Sequence, residues 1–170
     1  MLSNFDIEEI AHFYKIDIVV VMKDELIKIK PTSGNYLINL ESSKDGNGTH
    51  WVALRIEDFN CVYFDSYGYL PPKEIITFCK RIHKSQLAYN TKEIQNLSTV
   101  TCGFFALAFL LFLHFKKQII SDIFSRSSAF LKYFTTVQKT TINTSNYFIE
   151  NYPIHQIYKS LKRNYIIKNN

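Results

Sequence analysis

The sequence lacks an apolar segment long enough to span a membrane, and it has no apolar leader at its N-terminus. Its longest apolar run, from Gly103 to Phe115, is shorter than the ~20 residues that a transmembrane helix needs. The first ten residues, MLSNFDIEEI, are acidic and lack the apolar centre of a signal peptide. These absences predict a soluble intracellular protein with no membrane partner.

Cysteine is scarce, and this limits disulfide and metal chemistry. Cys61, Cys79 and Cys102 cannot all pair with one another, and in a reducing compartment we expect three free thiols. Cys79 and His83 form a single pair, without a second pair at the spacing of a zinc site. We therefore predict no metal site and no cofactor that the chemistry would require.

The positive charge of the chain is concentrated at its C-terminal end. The 170 residues carry a formal net charge of +5, and their number suggests one domain with a full core. We divide the chain into a main domain, 1–136, and a basic extension, 137–170, which we expect to pack on the same domain. That extension either contacts nucleic acid or an acidic partner, or serves solubility alone. It has one acid, Glu150, against five basic residues: Lys139, Lys159, Lys162, Arg163 and Lys168.

Hydrophobic periodicity predicts an α+β fold, with a mostly antiparallel or mixed sheet packed on a buried helix and surrounded by further helices. In the first helix, Phe5, Ile10 and Phe13 are expected to face inward. The predicted helices cover 3–15, 71–84, 102–115, 121–134 and 151–163, and the predicted strands cover 16–22, 34–42, 52–56, 61–64, 85–90 and 92–96.

A predicted hairpin brings a histidine near a carboxylate. With a turn at 57–60, His50 and Asp65 lie at the open end of the hairpin, within about one residue pair of each other. An aspartate in this place can hold the imidazole through Nδ1–H and fix its tautomer. Taken singly, a histidine at the start of a strand is usually structural, and an aspartate before Ser-Tyr-Gly is often a turn residue.

Cys102 has the surroundings that a nucleophilic thiol requires. With Thr101 as the N-cap, Cys102 lies in the first turn of the buried helix, where the helix dipole and a nearby histidine favour a thiolate. Its amide lacks a partner within the helix and can face an oxyanion, and Gly103 leaves room for a substrate. Gln95, seven residues upstream, offers a second oxyanion donor. A lone cysteine before an apolar run is usually a core residue, so the combination carries the prediction.

Three motifs resemble those of a known family. THWVAL, YFDSYG and TCGFFALAFL are similar to segments of the adenovirus-type (adenain-like) maturation protease family, within the SUMO-protease-like cysteine peptidases. The resemblance covers about residues 34–115 and is particularly marked for the proteases of virus-like transposons and virophages. It fades after about Phe115.

The resemblance implies a cysteine endopeptidase that cleaves viral capsid or core precursors after Gly-X-Gly or Gly-Gly sequences during virion maturation. It implies a location in the virion, or at a cytoplasmic or nuclear assembly site of the host cell. Trp51 and Gly103 would border a narrow substrate channel. The catalytic roles that it implies are Cys102 as nucleophile, His50 as general base and acid, Asp65 as its orienting partner, and Gln95 with the Cys102 amide as the oxyanion hole.

The same resemblance suggests partners beyond the precursor polypeptides. A viral peptide and DNA activate the adenoviral member, and the basic extension is a candidate contact for nucleic acid. No counterpart of its peptide-linking cysteine is assignable, because Cys61 lies in a predicted strand and Cys79 in a predicted helix. Dependence on a peptide is therefore left open, and we expect a monomer.

Other functions fit parts of the pattern. A peptidase that removes ubiquitin-like or SUMO-like modifiers would share the fold, but it usually places the glutamine six residues before the cysteine and an aspartate just before it. An acetyltransferase with the same residues would need a coenzyme A site, which nothing in the sequence indicates. A non-enzymatic DNA-binding virion protein would use the basic extension, which lacks dense Lys/Arg runs.

Overall fold

A mixed five-stranded sheet with helices on both faces forms the fold, as the α+β prediction required. The computed structural model describes residues 2–44, 46, 50–95 and 101–137, with the backbone alone for 133–137. The elements in chain order are α1 (Asn4–Tyr14), β1 (Ile18–Met22), a 3₁₀ helix (Lys23–Lys28), β2 (Gly34–Asn39), β3 (Trp51–Glu57), β4 (Asn60–Phe64), α2 (Lys73–Lys80), β5 (Gln86–Tyr89), α3 (Cys102–Phe115) and α4 (Ile123–Val137).

The strands follow chain order across the sheet, β1-β2-β3-β4-β5. The outer pairs β1–β2 and β4–β5 are parallel, and the central pairs β2–β3 and β3–β4 are antiparallel. Glu57 pairs with Asn60 and Ala53 with Phe64, which confirms the predicted hairpin and its turn. This register also sets the relative positions of the residues that precede β3 and follow β4, at the open end of the hairpin.

Two apolar clusters cover the two faces of the sheet. Ala53 and Phe64 belong to the cluster that α3 fills, whereas Leu54 and Tyr63 belong to the one that α2 fills. Successive side chains of a strand point to opposite faces, so a strand between two clusters has no exposed face. This explains why β3 is apolar at nearly every position and buried from Trp51 to Ile56.

Helix α3 lies at the centre of the larger cluster. Ten of its residues are buried, and the ring of Phe109 stacks on Phe64 with centroids 4.6 Å apart. Thr101 is the N-cap residue, as predicted, but its side chain makes no capping hydrogen bond. A lost cap costs about 1 kcal/mol, while each buried Leu or Phe contributes roughly 1.5–3 kcal/mol. Burial therefore determines where α3 lies, and with it the position of Cys102.

The predicted inner face of α1 is partly wrong. Ser3 caps the helix with a reciprocal bond to Asp6, and Ile10 is buried as expected, but Phe5 and Phe13 are 80% and 61% exposed. The buried stripe is formed by Ile7, Ile10 and Ala11. These positions repeat at three and four residues, as one face of a helix requires, and Phe5 lies off that stripe.

Three further predictions differ from the structure or fall outside it. The β-branched run at 16–22 predicts a buried strand, but β1 is at the edge of the sheet, and Val19 is 42% exposed. Residues 92–95, the described part of the last predicted strand (92–96), form no strand, because the amides of Ile94 and Gln95 donate to the Ser66 carbonyl instead. The predicted helix at 151–163 and the extension from 138 onward lie outside the described residues.

In the part of the chain that the structure describes, no helix combines the length and the apolar character needed to cross a bilayer.

Candidate active site

Asp65 directly follows β4 and lies completely buried at the end of the sheet. Its backbone amide donates to Oδ1 of Asn90 (2.9 Å), and the side-chain amide of Asn90 donates to the Asp65 carbonyl (2.6 Å). Its own Oδ1 accepts the backbone amide of Tyr67 at 2.7 Å, which is the turn expected for an aspartate in this sequence. The turn role and the proposed orienting role are therefore compatible, because the second carboxylate oxygen is left for other donors.

The turn after Asp65 packs closely against the segment that leads to Gln95. Gly68 has φ +74°, and a Cβ atom on it would lie 2.7 Å from the backbone carbon of Lys92. No other residue fits there without moving the backbone. The close approach allows the amides of Ile94 and Gln95 to reach the Ser66 carbonyl at 2.8 and 2.9 Å.

His50 contacts Asp65 through Nε2 and not through Nδ1, which corrects the predicted atom. Nε2 lies 3.0 Å from Oδ2 of Asp65, and the hydroxyl of Tyr63 donates to the same oxygen at 3.3 Å. Because Ala53 pairs with Phe64, His50 is diagonal to Asp65 across the open end of the hairpin. Such neighbours are farther apart than direct pairs, and Nε2 is the ring nitrogen more distant from the backbone.

Cys102 begins α3 against the first residue of β3. The backbone amide of Trp51 donates to Sγ of Cys102 over 3.5 Å. Trp51 follows His50 directly, so the packing of α3 on β3 brings the thiol to the histidine. Cys102 is 2% exposed, and all three cysteines are free and buried.

Mutual contact acts against burial in setting the charges of His50 and Cys102. Burial opposes the charged imidazole, but interactions with Asp65 and Cys102 raise the pKa of His50 to about 9. Burial likewise opposes the thiolate, yet the interaction with His50 and the amide of Trp51 lower the pKa of Cys102. Both shifts favour a thiolate facing an imidazolium.

Nδ1 is the ring nitrogen of His50 that is left to interact with Cys102. Nε2 is bonded to Asp65, and Nδ1 is buried without a hydrogen bond of regular geometry among the described residues. The interaction with Cys102 nevertheless raises the pKa of His50. The imidazole thus links the carboxylate of Asp65 with the thiol electrostatically.

Gln95 lies beside the Asp65 turn and is completely buried. Its Oε1 accepts the hydroxyl of Ser66 (2.8 Å), and its Nε2 donates to the hydroxyl of Tyr67 (3.3 Å). The structure therefore brings Gln95 to the same corner as His50 and Asp65. Its predicted role as an oxyanion donor to a group on Cys102 stays a prediction, since residues 96–100, which join Gln95 to α3, lie outside the described part.

The space expected beside Gly103 is filled by the protein itself. A Cβ atom on Gly103 would lie 3.2 Å from Cδ1 of Trp51 and 3.3 Å from the side chain of Leu2. The indole N–H of Trp51 donates to the carbonyl of Leu2, and Trp51 is 2% exposed. Gly103 is required for this close packing, which corrects the expectation of open room. The predicted contact of both residues with a substrate stays untested.

Two contributors were missed by sequence reasoning. Asn90 fixes the backbone of Asp65, and its only sequence signal is its place at the end of a predicted strand. The ring of Tyr67 stacks on His50 with centroids 4.7 Å apart and an angle of 26° between the planes. Its position two residues after Asp65 was visible, but the direction of its side chain depends on the turn.

No group of three or more His, Cys, Asp or Glu side chains suited to a metal ion occurs within the described ranges. The predicted independence of metals and cofactors stays a prediction.

Comparisons with known proteins place this geometry on a known fold. No family model matches the chain, and no curated protein matches it. It is similar to a selenomethionine crystal structure of the ASFV pS273R protease, with a TM-score of 0.50 and 18% identity over 75% of this chain and 62% of that protein. A second structure of the same protease gives a TM-score of 0.49 and 18% identity over 75% of this chain and 61% of that protein. A form of AvrA with IP6 and CoA gives a TM-score of 0.45 and 19% identity over 67% of this chain and 48% of that protein.

The similarity concerns the fold. The chain spans less than two thirds of the length of the ASFV protease, and the identity is low. The α+β architecture is the one found in the ASFV protease structure. Assignment to the SUMO-protease-like cysteine peptidases, and to the adenovirus-type family within them, stays a prediction, and the catalytic roles are argued from the geometry of this chain alone.

We predict that Cys102 reacts with iodoacetamide at a pH below the range of an ordinary thiol, near 8.5. At pH 7 the wild type should be alkylated at Cys102 at least about tenfold faster than His50→Ala, because each unit of pKa changes the thiolate fraction about tenfold below the pKa. Peptide mapping by mass spectrometry over pH 5–10 gives the rates, and Cys61 in the same sample is a buried control. Equal pH dependence of Cys102 in the two proteins would contradict the ion pair.

Proposed function

We propose that this protein is a cysteine endopeptidase with Cys102 as the nucleophile. What supports the proposal is the bond of His50 to Asp65, the placement of Cys102 against the residue after His50, and the mutual effect of His50 and Cys102 on their pKa values, at the N-terminus of a buried helix. Acyl transfer needs a thiol, a base held by a carboxylate, and amide donors beside the sulfur, and this corner of the fold supplies all three.

In the first half of the reaction, the thiolate of Cys102 attacks the carbonyl carbon of the scissile bond, and a C–S bond forms. The carbonyl oxygen takes the negative charge, for which the amide of Cys102 and the side chain of Gln95 are the proposed donors. The C–N bond then breaks, and the proton on Nδ1 of His50 passes to the leaving amine. The product is a thioester on Cys102.

In the second half, water replaces the amine. Neutral His50 takes a proton from the water at Nδ1, the resulting hydroxide equivalent attacks the thioester carbon, and the C–S bond breaks. The released acid leaves Cys102 as thiolate beside a protonated His50. Asp65 keeps Nε2 fixed throughout, so that Nδ1 stays directed at the sulfur.

The proposed substrates are viral capsid or core precursor polypeptides, cleaved after Gly-X-Gly or Gly-Gly sequences during virion maturation. This rests on the resemblance of the three motifs, and with it we propose action as a monomer in the virion or at the site of assembly. Activation by a viral peptide or by DNA belongs to the same proposal. The chemistry itself needs no further group beyond the four residues and water.

The proposal is tested with internally quenched peptides that contain Gly-X-Gly or Gly-Gly sites, each with a matched peptide in which the glycines are alanines. Cys102→Ala should reduce cleavage to background without unfolding, since alanine fills the buried site with little change. Asp65→Asn should lower kcat/KM by about 10- to 100-fold, because His50 loses a charged partner.

Circular dichroism and urea denaturation establish that both variants are folded. Cleavage of the glycine peptides alone supports the proposed specificity, whereas cleavage of ubiquitin-like or SUMO-like fusions in their place would favour the modifier peptidase. Equal activity in the wild type and both variants would exclude Cys102 and Asp65 from the reaction.

We further propose that the basic extension, 137–170, contacts nucleic acid. Five basic residues against one acid predict salt-dependent binding. Fluorescence anisotropy with a labelled duplex measures it between about 50 and 300 mM salt, a roughly sixfold range in which phosphate contacts weaken strongly. Removal of 137–170 should abolish binding. Unchanged affinity after the truncation would contradict the proposal.

A further inference from the structure

Tyr67 contacts two parts of the candidate active site at once. Its ring stacks on the imidazole of His50 at 4.7 Å, and its hydroxyl accepts the side-chain amide of Gln95 at 3.3 Å. The two contacts use different parts of one side chain, the face of the ring and its tip. Tyr67 therefore contacts both His50, the proposed proton carrier, and Gln95, the proposed oxyanion donor.

Hydrogen bonds and close packing fix the position of the Tyr67 backbone. Its amide donates to Oδ1 of Asp65 at 2.7 Å, and the amide of Gly68 donates to the carbonyl of Asp65 at 3.0 Å. Gly68 in turn is in close contact with the backbone at Lys92. The turn therefore fixes the start of the Tyr67 side chain relative to the carboxylate that binds His50.

The stacked ring restricts the one rotation that would disconnect the site. Nε2 of His50 is bonded to Asp65, which leaves Nδ1 for the interaction with Cys102, and rotation of the imidazole about its Cβ–Cγ bond disturbs both interactions together. An aromatic face parallel to the imidazole blocks that rotation. It also attracts the charged form, because a cation within about 6 Å of a ring centroid is stabilised by the ring.

The hydroxyl of Tyr67 orients the amide of Gln95. Oε1 of Gln95 accepts the hydroxyl of Ser66, so contacts on both ends of the amide select one of its two orientations. Burial, and then the negative charges of Cys102 and Asp65, raise the pKa of Tyr67. The hydroxyl therefore stays neutral over the range in which the thiolate and the imidazolium coexist.

We infer that Tyr67 is a positioning residue that aligns the general base His50 with its ring and the oxyanion donor Gln95 with its hydroxyl. This inference rests on the proposed function, because it assigns Tyr67 to the reaction of Cys102. The groups that face His50 are Asp65 after β4, Cys102 on α3 and Tyr67 in the turn, with the Tyr63 hydroxyl acting through Asp65.

Two substitutions separate the two contacts. Tyr67→Phe keeps the ring and removes the hydroxyl, whereas Tyr67→Leu removes the ring but keeps apolar cover over His50. Tyr69 is the matched control, since it is 55% exposed and its ring lies 5.8 Å from that of Tyr67. Tyr69→Phe and Tyr69→Leu should resemble the wild type in every measurement.

The readouts are peptide hydrolysis and NMR spectra of the resting protein. Tyr67→Phe should lower kcat about 10-fold with KM unchanged, a smaller loss than the 10²–10³ for removing an oxyanion donor, and should shift the side-chain amide signals of Gln95. Tyr67→Leu should do the same and also lower the pKa of His50 by about half a unit, as expected for loss of a cation–π contact. The alkaline limb of the pH profile should move with it.

The outcomes distinguish this inference from the proposed function. If the wild type cleaves no peptide while the His50 and Gln95 signals shift as stated, the proposed function fails and the positioning contacts stand. If the wild type is active and the Tyr67 variants match it in kcat and in both signals, the inference alone is overturned. Should Tyr67→Leu fail to fold, Tyr67→Phe decides: wild-type kcat and unshifted Gln95 signals would overturn the inference.

Discussion

The packing of α3 across β3 is the contact on which the candidate site depends. Cys102 is the first residue of α3 and Trp51 the first residue of β3, and the amide of Trp51 donates to the sulfur of Cys102. His50 precedes Trp51, so burial of the helix determines the distance between thiol and imidazole. The apolar residues of α3 would contribute to the proposed chemistry indirectly, because a helix displaced by one turn, about 5.4 Å, would separate the proposed nucleophile from its base.

A second constraint comes from the turn that follows β4. Asp65 binds His50 with one carboxylate oxygen and closes its own turn with the other, and the same turn receives the segment that contains Gln95. A completely buried carboxylate is costly unless several donors surround it. Here His50, Tyr63 and the amide of Tyr67 supply them. The stability of the turn and the orientation of the base therefore have a common origin.

Local signals in the sequence were sufficient for most of the described elements and for much of the site, but not for the 3₁₀ helix at Lys23–Lys28 or the absence of a strand at 92–95. The apolar pattern of 102–115 predicted a buried helix, and the hairpin register followed from the turn at 57–60. The prediction failed where the answer depended on long-range contacts. The inward faces of Phe5 and Phe13 were wrong because the sheet meets a different stripe of α1. The nitrogen of His50 that binds Asp65, the filled space at Gly103 and the stack of Tyr67 depend on distances across strands, which no local pattern contains.

The central claim is that Cys102 is an activated nucleophile in a site that accepts an acyl group. It is tested most directly by incubating the protein with a Gly-Gly vinyl sulfone and measuring the intact mass, beside Cys102→Ala and a scrambled peptide vinyl sulfone. We predict one adduct in the wild type, formed faster with the Gly-Gly probe and absent from Cys102→Ala. An adduct that persists in Cys102→Ala, or no adduct at all in the presence of DNA and virion peptides, would contradict the account.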